Sequence, residues 1–149
     1  MPTTLEPETE MGRVTTPAKI ENLHDLYRAS KGELGRDEVR SVEVDDALVD
    51  TGCTVMGLPK RFIEQLGLNP SRTQRSMSVT GGTDLKVFGT VRLTIQGRDC
   101  PLDVFELPDK CPVIIGQIPL EWLDFVVDLR ERKLVGNPAH QGQYILEMY

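Results

Sequence analysis

The chain is short of positive charge. Its 17 Lys and Arg are outnumbered by 23 Asp and Glu, which leaves a formal net charge of −6. A surface for nucleic acid or anionic lipid needs a basic patch, so neither partner is expected. Cysteine is scarce as well. Cys53, Cys100 and Cys111 are odd in number, and their spacing fits neither a disulfide framework nor a zinc ribbon. They read as reduced thiols of a cytoplasmic protein that holds no metal. Long apolar runs are missing, since none approaches the ~18 residues of a membrane helix. The first ten residues lack the basic start and apolar stretch of a secretory signal. A soluble, cytoplasmic chain is therefore expected, with residues 1–10 as a disordered leader and 11–149 as one domain.

Turn formers are plentiful: thirteen Gly and ten Pro punctuate the chain. Val14, Thr16, Ala18 and Ile20 alternate with polar neighbours and predict a strand buried on one face. Pro17 cannot donate to a ladder, so that strand should lie at an edge or carry a bulge. Asn22 followed by Asp25 resembles a helix N-cap, with about two turns over Leu23–Ser30. Arg40–Val44 reads as a second strand, Asp45-Asp46 as a turn and Ala47–Val49 as a third strand. Pro59 suits the first turn of a helix that Gly67 would end.

Further on, Gly81-Gly82 separates two runs and predicts a hairpin turn at those glycines. Strands are expected within 83–95 and over Leu102–Leu107, joined by a turn at Gln96-Gly97-Arg98. Pro119 opens a short helix through Leu123. Phe125–Asp128 and Leu134-Val135 flank a charged turn, and Gln143–Tyr149 is compatible with a last strand. The sum is mainly β, a small barrel or folded sheet with two short helices.

The most informative stretch is Ala47-Leu48-Val49-Asp50-Thr51-Gly52. An apolar run of this kind wants to be a buried strand. Ending such a strand on a lone ionised carboxylate costs several kcal/mol or more unless the charge is paired, shared or protonated. Chains tolerate that cost mainly where the carboxylate does chemistry. A second apolar segment ending in glycine, Ile114-Ile115-Gly116, lies well downstream, with the Gly81-Gly82 hairpin between the two.

In this order the motifs resemble the retropepsin family, the single-lobe aspartic proteases of retroviral type, in the form of its bacterial and cellular relatives. The resemblance runs from about residue 40 to 128. Asp50-Thr51-Gly52 is similar to the catalytic loop, and Leu58–Leu68 to the segment that follows it. Met77–Val87 is similar to the flap. Val113–Gly116 is similar to the strand crossing behind the loop, and Leu120–Leu123 to the helix near the C-terminus.

The resemblance implies the acid-protease fold, a closed barrel with one lobe per chain, and an aspartic endopeptidase without cofactor. The chemistry needs two carboxylates about 3 Å apart that share one proton, one activating water and the other protonating the scissile carbonyl. The chain has one Asp-Thr-Gly and no second copy. The pair must then be completed by Asp50 of a second chain, in a symmetric homodimer. Thr51 would brace the two loops across the axis, and Gly52 would let the backbone approach closely. Cys53, Thr80, Gly81, Gly82 and Thr83 would line an extended peptide or protein substrate, with Ile114, Ile115 and Gly116 supporting the site. Val14–Ile20 and Tyr144–Tyr149 are candidates for a dimer sheet, or else ordinary edge strands.

Three departures stand out. Cys53 replaces a small residue, Asp84 sits near the expected flap tip, and Thr54 and Gln117 replace a charged pair that a neutral hydrogen bond would have to restore. A catalytic role for Cys53 would need His24 or His140 as a partner. Asp124 and Asp128 are rival carboxylates, of which Asp128 reads as turn-forming. A non-catalytic dimeric peptide-binding or assembly module on the same fold remains the alternative.

Overall fold

The alternation that begins at Val14 builds the strand it predicts. The computed structural model describes residues 13–148, and the expected leader lies outside them. Strand β1 (Val14–Asn22) buries Val14, Thr16, Ala18 and Ile20 on one face. Its register against β2 (Ser41–Val49) slips between Thr16 and Ala18, where Asp45 and Asp46 of β2 together stand opposite Pro17, so the bulge lies in β2 beside the proline. Asn22 then caps helix α1 (Leu23–Ser30), its side chain accepting from the Asp25 N–H at 3.0 Å. The same side chain donates to the Leu66 carbonyl at 2.8 Å and so ties α1 to the next helix.

Strand β2 runs unbroken through Asp45-Asp46, where a turn was expected. Both carboxylates are exposed, so the strand carries them without desolvation. Next come β3 (Met56–Pro59) and α2 (Lys60–Leu66). Gly67 ends α2 in the left-handed conformation, φ 62°, as its C-terminal position predicts. Strands β4 (Asn69–Ser78), β5 (Gly81–Ile95) and β6 (Arg98–Leu107) form successive hairpins. The two-residue β7 (Ile114–Ile115) leads into α3 (Gln117–Trp122). A final hairpin pairs β8 (Phe125–Asp128) with β9 (Lys133–Gly136).

The described residues thus hold three α-helices and not two, because the capped segment Leu23–Ser30 forms a helix beside those that open near Pro59 and Pro119. Helix α3 also starts two residues before Pro119, which falls within its first turn, where its missing N–H is not needed. The larger sheet has the order β1-β2-β7-β3-β6-β5-β4, and β1 pairs again with β5. Six strands therefore follow one another round a ring of pairings, with β4 hanging from β5. No strand forms over residues 143–148. Their backbone is engaged elsewhere, as shown below.

The core gathers Ile20, Leu58, Leu66, Leu93, Ile95, Ile115, Leu120 and Leu123, all essentially without solvent exposure. Two acids on its margin are buried and paired. Glu21 meets Arg92 at 2.8 Å. Asp25 accepts from the Arg40 side chain at 2.8 and 3.0 Å and from the Arg40 backbone N–H at 3.0 Å.

The Arg40 hydrogen bond, opposed by burial, holds the Asp25 carboxyl below its ordinary value of 3.8. A lowered folded value stabilises above pH 3.8, and that stability drains away as pH falls through the folded value. Asp25→Asn should cost about 2 kcal/mol near neutrality, less than a fully buried pair because Arg40 is half exposed. Urea unfolding at several pH values checks this: the variant should lose less stability than the parent on acidification.

Candidate active site

Asp50 stands one residue beyond β2, and its place is set by backbone pairing. Strand β2 runs parallel to β7, with Leu48 opposite Ile114 and Val49 opposite Ile115. The Leu48 N–H donates to Val113 at 2.7 Å and the Asp50 N–H to Ile115 at 2.9 Å. On its other side β7 pairs antiparallel with β3, Met56 opposite Ile115 and Gly57 opposite Ile114. The chain thus leaves β2, turns through residues 50–55 and returns on the far side of β7. Ile114, Ile115 and Gly116 lie directly behind that turn.

The turn is tied again to the start of α3. The Gln117 N–H donates to the Cys53 carbonyl at 2.7 Å, and the Ile118 N–H to Thr54 at 2.9 Å. Gly116 is required here, because a Cβ would collide with the carbonyl oxygens of Val55 and Cys53. The Gln117 side chain does not reach Thr54. It donates to Glu121 Oε1 at 2.9 Å, one turn along α3. Two backbone hydrogen bonds therefore take the place of the side-chain bond expected between positions 54 and 117.

Within the turn, Asp50 Oδ1 accepts the Gly52 N–H at 3.0 Å, and the Cys53 N–H donates to the Asp50 carbonyl at 3.0 Å. A Cβ on Gly52 would sit 3.2 Å from Oδ1 and crowd the carboxylate. Among the described residues the Gly52 N–H is the one hydrogen bond on this carboxylate, which leaves Oδ2 open. Asp50 is half-buried and Thr51 is exposed. The isolated chain therefore does not pay the full desolvation cost that the apolar run into Asp50 suggests. The run ends at Val49, and the carboxylate emerges from the sheet.

Beside the turn lies a cavity of about 300 Å³, lined by Thr51, Gln117, Leu120, Phe125, Val127 and Leu129. Leu129 is 78% exposed. The cavity escapes sequence reading because its lining comes from the turn, α3 and β8, which share no periodic signal.

The expected hairpin is present, but its turn is shifted. Ser78 pairs with Gly81 and Met77 with Gly82, which puts Val79-Thr80 at the tip and the two glycines on the returning strand. Met77 and Val79 are strongly exposed, so the tip is apolar. Asp84 stands back from it and pairs with Arg75 across the hairpin at 3.1 Å. Gly82 makes room for that arginine, since a Cβ would strike the guanidinium. Thr80, Gly81, Gly82 and Thr83 thus gather at one hairpin end, on elements separate from the Asp50 turn.

The rival groups are otherwise occupied. Asp128 Oδ1 accepts the Arg130 and Glu131 N–H groups, which makes it the turn former expected. His140 bonds to Asp124 and Glu147, not to Cys53, and the Cys53 Sγ lies 3.5 Å from the Val55 carbonyl. Among the described residues no cluster of His, Cys, Asp and Glu suits a metal ion, and no helix is long and apolar enough to cross a membrane.

No family profile matches the sequence, and no curated protein matches it. Among solved structures the chain is similar to the simian foamy virus (mac) protease in solution, at TM-score 0.43 and 18% identity, over 72% of this chain and 94% of that one. It is also similar to the EIAV protease bound to an inhibitor, at TM-score 0.44 and 19% identity, over 73% and 86% of the two chains.

Gly116→Ala should destabilise the fold by about 1–3 kcal/mol, because two backbone carbonyls must move to admit the methyl group. Thermal unfolding measures the loss. Amide exchange should show it centred on residues 50–55 and 113–118.

Proposed function

We propose that the chain is an aspartic endopeptidase of retropepsin type whose active site forms between two copies. The observation that carries this reading is the Asp50 turn. A half-exposed carboxylate is oriented through one oxygen by the Gly52 N–H, keeps the other oxygen open and is held from behind by β7. Each chain offers one such group, and the reaction needs two.

With two Asp50 carboxyls about 3 Å apart and one proton between them, the ionised one takes a proton from water. The oxygen attacks the peptide carbonyl carbon while the other carboxyl protonates the carbonyl oxygen. Collapse of the tetrahedral species returns a proton to the leaving amine, and the pair is restored. Thr80–Thr83 and Cys53 would line the substrate. The hairpin would close over an extended peptide through backbone hydrogen bonds, with the apolar tip at Met77 and Val79 shielding the site from water.

The proposed dimer contact is not the sheet of termini. Strand β1 pairs with β2 along most of its length and with β5 over Lys19–Asn22, and residues 143–148 form no strand. A two-fold axis through the Asp50 pair instead directs Thr51 and the adjoining cavity at the partner. Two features support this. Among the described residues the Thr51 hydroxyl makes no hydrogen bond within the chain, and Leu129 at the cavity is largely exposed.

One observation favours the second reading, a non-catalytic dimeric peptide-binding or assembly module. Because Asp50 is not deeply buried in the single chain, keeping it there costs little and does not by itself require catalysis.

Cleavage of a peptide library from about pH 4 to about pH 7 separates the readings. Asp50→Asn should lower cleavage by about a thousandfold or more with stability preserved. Activity that survives the substitution sinks the aspartic mechanism, and no cleavage by a confirmed dimer favours the binding module. Leu129→Glu should weaken dimerisation about tenfold or more in sedimentation equilibrium.

A further inference from the structure

A dense polar cluster outside the Asp50 turn ties down the last described segment of the chain. Asp124 follows Leu123 at the end of α3, in a left-handed backbone conformation with φ 61°. Its side chain is only 8% exposed. Asp124 Oδ1 accepts from the Asn137 side-chain amide at 3.0 Å. Its Oδ2 accepts the Ile145 backbone N–H at 3.1 Å and lies 2.6 Å from His140 Nδ1. The other ring nitrogen, Nε2, lies 2.8 Å from Glu147 Oε1. One imidazole is therefore bracketed by two carboxylates, one on the body and one on the tail.

The chemistry of the ring decides what this arrangement does. A neutral imidazole has one N–H and can donate to one carboxylate, which leaves a lone pair facing the other. An imidazolium donates to both. We propose that Asp124, His140 and Glu147 form a proton-operated clasp, which docks residues 143–148 on the body while His140 is doubly protonated and lets them go when the ring loses a proton. The fixed side is Asp124, which is anchored from three directions. The tail side is Glu147, which is half exposed and carried on a segment without secondary structure.

Other charged and titratable groups face the clasp from neighbouring elements. Arg98 donates to the carbonyls of Leu123, Asp124 and Gly142, and its guanidinium lies over the rings of Phe125 and Tyr144. Burial raises the Tyr144 phenol, with the neighbouring Cys100 and Asp99 adding to the effect. Burial likewise pushes the Cys100 thiol up to about 12, so it stays protonated.

The Glu147 and Asp124 hydrogen bonds raise His140 above 6.5 against burial. For Asp124, burial pushes upward, but the bonds from His140, Asn137 and Ile145 prevail and lower it from 3.8. A raised histidine contributes fully below 6.5, and its contribution is lost as pH rises through the folded value. A lowered aspartate contributes above 3.8, and its contribution is lost as pH falls through its folded value. The clasp is therefore strongest between those limits and opens on the alkaline side. It sits at the root of β8, whose first residue, Phe125, lines the cavity beside Thr51.

NMR on the full chain tests the clasp by following backbone order at residues 145–148 together with the His140 ring signal, from about pH 5.5 to about pH 8.5. Order should fall with rising pH at the midpoint of the ring titration, and that midpoint should lie above 6.5. His140→Gln should abolish the pH dependence. Glu147→Gln, at an exposed position that does not threaten folding, should lower the ring midpoint and leave the tail looser at the acidic end. Tail order that ignores pH, or that changes equally in His140→Gln, overturns the proposal. A ring midpoint unmoved by Glu147→Gln overturns it as well.

Discussion

Two backbone hydrogen bonds, from Leu48 to Val113 and from Asp50 to Ile115, fix the geometry on which the candidate site depends. They join β2 to a strand only two residues long. That strand is held in turn by β3 on its other edge and continues through Gly116 into α3. The turn from Asp50 to Val55 is thereby fixed at both ends and along its back. Its one charged side chain needs no further support to point outward. Gly116 is the condition for this closeness, since any side chain there would force the turn and the start of α3 apart.

The treatment of charge separates Asp50 from the other acids near the core. Glu21, Asp25 and Asp124 are almost fully buried, and each is matched by a cation or several donors. That is what desolvation requires of acids inside a folded chain. Asp50 is left with one backbone donor and an open oxygen. An acid that the single chain only half buries and leaves with an open oxygen is available to something outside it. In the proposed dimer, the desolvation that drives proton sharing would come from the partner and the substrate.

Much of the framework was legible because it rests on local rules. The period-two pattern of Val14–Ile20, the bulge opposite Pro17, the Asn22 cap and the left-handed Gly67 each follow from one residue type in one setting. The place of the apolar segment ending at Gly116, behind Asp50, follows from no local rule and depends on pairing between distant strands. Readings failed where a weak local signal competed with pairing. Gly81-Gly82 favours a turn, but the register of β4 against β5 moves the tip to Val79-Thr80. Asp45-Asp46 favours a turn too, yet pairing with β1 on both sides keeps β2 extended and reduces the turn to a bulge opposite Pro17. The Asp124 cluster was invisible, because Asn137, His140, Ile145 and Glu147 are ordinary polar and apolar positions until the chain folds back. That same cluster engages the tail backbone that was read as a strand.

The shortness of β7 also bears on when the turn acquires its shape. Asp50 leaves the ribosome well before residues 113–118 have been made. At typical elongation rates the gap is several seconds, during which neither β7 nor the start of α3, which later hold the turn from behind, yet exists. Pairings between residues so distant in sequence are also slow to find one another once synthesis is complete. The nascent chain therefore carries its most reactive-looking loop as unshaped backbone, and that loop gains a fixed geometry only late in the assembly of the fold.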